Sequence, residues 1–152
     1  MDNALIKFDS AVVCDDVRTE NTGKNILIGV VSSDLGFPEF PANTMLTVYA
    51  EGEVLRAGVI SLEVTIIDDL GGVLFNSPRG PIAHLVLGRF YHIFRANFTL
   101  QRECTISVVA RDLEQENVVL SRRVRKLNIE ELPPELKELF GAGRNPVLPP
   151  SM

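Results

Sequence analysis

The sequence predicts an all-β chain: an antiparallel β-sandwich, immunoglobulin-like or C2-like in kind, of about eight strands with a short helix and extended tail at its C-terminus. Three observations lead there. Apolar residues alternate with period two through most of the chain, turn-forming clusters interrupt that alternation every few residues, and no helical spacing occurs before residue 132. A barrel would leave the same marks, so closure stays open between the two, with the sandwich favoured.

Ser10–Arg18 and Asn25–Ser32 read as strands divided by Glu20-Asn21-Thr22-Gly23-Lys24. Leu46, Val48 and Ala50 form one apolar row, and Ile60, Leu62, Val64 and Ile66 another within Val59–Ile67. Asp68-Asp69-Leu70-Gly71-Gly72 reads as a hairpin turn into Val73–Asn76. Phe90, His92, Phe94, Ala96, Phe98 and Leu100 give the clearest alternation and a predicted core row. Gln101-Arg102-Glu103 is a tight connection to a strand carrying Ile106, Val108 and Ala110. Asp112–Asn117 is a polar turn into Val118–Lys126. Residues 33–43 and 77–83, each with two prolines, read as longer loops.

The end of the chain changes character. Leu132–Gly141 reads as a short helix with proline in its first turn and glycine at its end. Leu136, Leu139 and Phe140 would share one face, the candidate partner-binding residues, to be buried on the sandwich or on a neighbour. Pro146-Val147-Leu148-Pro149-Pro150 then favours an extended tail. We therefore expect a sandwich over 1–127 and a helix with tail over 128–152.

Composition narrows function. With 152 residues, one domain with its own core is expected. Twenty acidic against 15 basic side chains leave a net charge of −5, which argues against a broad phosphate-binding face, so no nucleic-acid partner is expected. Apolar runs are short, and Met1-Asp2-Asn3-Ala4 has no basic segment followed by an apolar one. The expectation is a cytoplasmic protein with no membrane partner. Cys14 and Cys104 are expected to be reduced and buried rather than joined.

Residues 14–24, Cys-Asp-Asp-Val-Arg-Thr-Glu-Asn-Thr-Gly-Lys, are followed by Ile28-Gly29-Val30 and by Phe37-Pro38 and Phe40-Pro41. This run resembles the opening of a bacterial β-rich domain family of unknown function, whose members read Cys-Asp-x-x-Arg-x-Glu, Asn-x-Gly-Lys, Ile-Gly-Val and a Phe-Pro loop. The resemblance is clearest over residues 12–41. It implies a bacterial, cytoplasmic β domain and carries no functional residue with it.

Candidate chemistry is sparse. Asp34, Asp68 and Asp69, with Asp15 and Asp16, lie at or near predicted strand ends, where calcium-binding sandwiches hold the cation; aspartate is also an ordinary turn residue, and turn chemistry is the favoured reading. Arg18, Glu20 and Lys24 form a charged cluster, read as an internal ion pair that fixes a hairpin rather than an anion anchor. Arg122, Arg123, Arg125 and Lys126 divide between two faces of the last strand, as charges that protect a sheet edge do. His84 and His92 have no zinc-ligand spacing, and His92 is expected inside the core with a hydrogen-bond partner. No nucleophile elbow or phosphate loop occurs. The sequence thus predicts a non-catalytic interaction or assembly module with no cofactor, meeting an unknown protein or its own copy. The alternative is a sandwich that binds calcium or a small ligand.

Overall fold

The computed structural model describes residues 2–80 and 83–141. Twelve strands occur among them. In chain order these are β1 (Leu5–Cys14), β2 (Asp16–Thr19), β3 (Asn25–Ile28), β4 (Leu35–Phe37), β5 (Ala42–Arg56), β6 (Gly58–Ile60), β7 (Glu63–Ile67), β8 (Val73–Ser77), β9 (Ala83–Leu85), β10 (Gly88–Leu100), β11 (Cys104–Arg111) and β12 (Glu116–Lys126). One sheet runs β1-β5-β10 and a second β4-β12-β11-β7-β8, while β2 pairs with β3 and β6 with β9. The sandwich expected from alternation is present.

The core lies between the two larger sheets. Val48 and Ala50 of β5 and Phe94, Phe98 and Leu100 of β10 meet Ile66 of β7, Ile106, Val108 and Ala110 of β11, and Val124 of β12. A smaller cluster, Ala4, Ile6, Val54 and Ile60, forms where β6 and β9 lie beside the chain start. Nonpolar burial of this kind is the main favourable term in folding.

Several expectations are corrected. The strands number twelve rather than eight because two predicted strands break and two further strands form. Ser10–Arg18 breaks at Asp15 into the end of β1 and β2, Val59–Ile67 breaks at Ser61–Leu62 into β6 and β7, the predicted loop 33–43 contains β4, and β9 begins at the end of the predicted loop 77–83. The pairing is not wholly antiparallel: β4 runs parallel to β12, with Leu35 opposite Val124 and Phe37 opposite Lys126. Gln101–Glu103 is the tight connection expected, and it carries the chain from one sheet to the other. The second predicted strand stops at Ile28 because Gly29 adopts φ +65°, and a Cβ there would lie 2.0 Å from an Asp15 carboxylate oxygen. Only glycine fits that combination.

The hairpin at Asp68–Gly72 forms as expected, linking β7 to β8, and the polar turn expected over Asp112–Asn117 links β11 to β12 but ends at Gln115, since β12 begins at Glu116. Asp68 closes the first with its own side chain, whose Oδ1 accepts from the amides of Leu70 at 2.9 Å and Gly72 at 2.7 Å. Beyond β12 the backbone is helical over Pro134–Gly141 (α1). The side chains of Leu136, Leu139 and Phe140, and the predicted tail from 142 onward, lie outside the described residues. Among the described residues no helix is long and apolar enough to cross a membrane.

Candidate functional site

Edges of sheets present unpaired backbone donors and acceptors, and native proteins shield them with short strands, bulges, charge or covering segments. Three of the four edges of the two larger sheets are shielded in that way. Strand β4 has three residues and β8 has five, with a register shift against β7. Strand β1 has two register shifts against β5, and Val13 bridges to Val31. The fourth edge, β10, is different. Its 13 residues pair with β5 without a shift from Gly88–Val54 to Leu100–Ala42, and no described strand pairs with its other side. It contains no proline, lysine, aspartate or glutamate.

The sandwich is also open along this edge. β10 and β8 approach one another there without joining into one sheet. Between them a cleft of about 160 Å³ reaches the core, walled by Val64, Ile66, Phe75 and Phe94, with Ser77 and His92 among its polar members. A wider hollow of about 420 Å³ shares Val64, Ser77 and His92 and continues over Leu62 and Phe90.

His92 corrects the expectation of a hydrogen-bonded interior residue. Its face is the core row, but the residue is exposed, and no hydrogen bond to its ring occurs among the described residues. The ring stands edge-on to Phe94 with centroids 4.7 Å apart. Its inner side is dry although an edge remains open, and that loss of water pushes the imidazole pKa below 6.5. The unfolded chain therefore takes up the proton first as pH falls through 6.5, and stability drops from there toward the lower folded value. Replacing His92 with Gln should flatten the melting-temperature change between about pH 7.5 and about pH 5.5. An unchanged slope would show that His92 contributes no such linkage.

The outer face of β10 is partly covered. Tyr91 stacks on Tyr49 at 5.7 Å, and the Tyr49 hydroxyl donates to Glu51 at 2.8 Å. Arg89 forms a two-pronged pair with Asp9 of β1, which holds that carboxyl below the usual aspartate range. Arg95 reaches Asp16 of β2 at 3.7 Å.

The predicted metal candidates do not converge. Asp68 and Asp69 both pair with Arg102, at 3.4 and 2.8 Å, while Asp34 lies 3.6 Å from Arg125. No group of three His, Cys, Asp or Glu side chains placed to hold a metal occurs among the described residues. Arg18 pairs with Asp16 at 3.7 Å rather than with Glu20; the hairpin is closed by the Glu20 amide donating to the Lys24 carbonyl at 2.8 Å. The basic strand β12 is an edge only in part, because β4 covers Val124–Lys126, and Arg122 lies half-buried in the core-facing row. His84 is exposed on β9, opposite Val59. Cys14 and Cys104 are buried, unbonded thiols whose pKa values burial raises, which makes them poor nucleophiles.

Sequence reading missed the β10 edge as a site. Its signal was present as a long alternating run without proline, lysine or acidic residues, its charge limited to Arg89 and Arg95. Comparison with protein-family models finds no match, and comparison with curated proteins finds no relative. The resemblance over residues 12–41 rests on its motif, which here forms the end of β1 and the β2–β3 hairpin.

Proposed function

We propose that this chain is a non-catalytic interaction module that takes up an extended segment along β10. The observation that carries this reading is the contrast among the edges of the two larger sheets: three are short, bulged or bridged, while the longest, β10, runs without a register shift and has only Arg89 and Arg95 as charges. Backbone pairing along such an edge supplies affinity with little demand on side chains, and an adjoining cleft supplies selectivity. The cleft beside Phe94 and Phe75 suits an apolar side chain of the incoming segment.

The test is capture from cell extract with three full-length baits: wild type, Ile93→Lys on β10, and Leu136→Lys with Leu139→Lys on α1. A partner held by the wild type and the α1 variant but lost with Ile93→Lys supports β10. A partner lost only with the α1 variant moves recognition to the C-terminal segment and contradicts the proposal.

A second reading, a small-ligand-binding sandwich, is favoured by the same cleft. Its volume of about 160 Å³ and its mixed lining, Phe75 and Phe94 beside Ser77 and His92, suit a small ring with a polar edge. The calcium form of that reading has no geometric support, since Asp34, Asp68 and Asp69 each face an arginine.

A further inference from the structure

We infer that the extended segment taken up by β10 is β10 of a second copy of this chain, joined antiparallel about a two-fold axis at Ile93; this rests on the strand-addition reading above. Such a dimer would make one continuous sheet in the order β1-β5-β10-β10-β5-β1. The same edge is used by both chains, so the contact closes without generating a filament.

Self-pairing restricts the register, because a two-fold perpendicular to the sheet sets one residue opposite its own copy. An axis at His92 would oppose Arg89 to Arg95 twice. One at Arg95 would oppose that residue to itself. Both place like charges directly across the ladder, which is unfavourable. With the axis at Phe94, Arg89 faces Thr99 but Arg95 faces Ile93 and gains no polar partner on either side of the axis. At Ile93 every pair is complementary. Ile93 meets Ile93, Tyr91 meets Arg95 on both sides of the axis, and Arg89 meets Asn97. On the core-facing row His92 meets Phe94 and Phe90 meets Ala96. Tyr91 is 46% exposed, so its ring is open to the arginine of the other chain.

Charge does not oppose a second copy at this edge. A chain of net charge −5 repels itself in general. Along β10 the local charge is already balanced, Arg89 by Asp9 and Glu51 and Arg95 by Asp16. The Arg95 contacts to β2 are long, 3.7 Å to Asp16 and 3.5 Å to the Val17 carbonyl, so the side chain gives up little on turning toward the other chain.

The experiment is sedimentation equilibrium of the full chain over a concentration series, paired with cysteine cross-linking. The expected result is a two-chain species that grows with concentration. Ile93→Lys, which sets two ammonium groups opposite one another, should weaken association at least about tenfold, equivalent to about 1.4 kcal/mol. Ile93→Cys should cross-link under mild oxidation, because opposed Cβ atoms lie about 4.5–5.5 Å apart. Asn97→Cys should not, since its own copy is eight positions away along the ladder. Should Ile93→Lys lose its folded circular dichroism, Tyr91→Lys is the second variant, opposing lysine to Arg95. A one-chain mass at every concentration overturns the proposal. So does a two-chain species that both lysine variants leave intact and Ile93→Cys fails to lock. A one-chain mass together with a different partner lost on Ile93→Lys refutes self-pairing alone; loss of neither kind of binding on Ile93→Lys refutes strand addition as well.

Discussion

Truncating Phe94 to alanine is expected to cost about 3–5 kcal/mol of unfolding free energy. The side chain is 5% exposed and stands where the edge strand meets the core. It touches Phe8 of β1 with centroids 5.9 Å apart, and it forms the inner wall of the cleft. Removing it deletes the ring's transfer energy and opens the cleft into the space between the sheets. The surroundings can collapse little, because Val48, Ile66 and Val108 beside it are fixed within paired strands. Domains of this size have about 5–15 kcal/mol in total, so the variant should be close to its limit. Urea unfolding measures the loss. Phe75→Ala, half-buried on the opposite wall, should cost less, about 1–2 kcal/mol. Equal costs would mean that β10 does not form the deeper wall.

Gly52→Val should destabilise by about 3 kcal/mol or prevent folding, against the strand preference for valine. Gly52 is buried in β5 where β1 bulges: Phe8 lies opposite Gly52 and Ser10 opposite Glu51, leaving Asp9 as the extra residue. A Cβ at Gly52 would sit 2.2 Å from the Lys7 carbonyl oxygen and 3.0 Å from the Phe8 Cα. Those atoms belong to backbone and cannot swing aside as a side chain does, so β1 would have to leave its ladder. Glu53→Val, one residue on and exposed, is the control and should lie within about 0.5 kcal/mol of wild type. A neutral Gly52→Val would show that the β1–β5 register is different.

Those two sites mark where sequence reading succeeded and where it stopped. The alternation that places Phe94, Ala96, Phe98 and Leu100 inward is local, so it was legible. The Asp68–Gly72 hairpin was legible for the same reason, since turn residues carry their own conformational demand. His92 shares the inward row, yet the facing sheet ends at β8, and the side chain emerges at an open seam. Alternation assigns a face; it does not say whether another strand covers that face. The parallel pairing of β4 was invisible, because three residues have no period and their partner lies about ninety positions away. Asp34, Asp68 and Asp69 were legible as turn and loop acids, but their arginine partners come from distant strands and connections. The status of β10 as an edge is likewise a property of sheet order, so a site built from an unpaired edge has no motif to display.

The central claim, that β10 is an open edge used for pairing, is tested most directly by amide hydrogen exchange on the full chain at low and high protein concentration. In the dilute sample every second amide from Arg89 to Thr99 should exchange fast, because an edge strand turns alternate N–H groups away from its neighbour. At high concentration, or with the captured partner added, those same amides should become protected while the exposed hairpin at Asp68–Gly72 stays unchanged. Uniform protection along β10 in the dilute sample, or fast amides that remain fast in both conditions, would contradict the account.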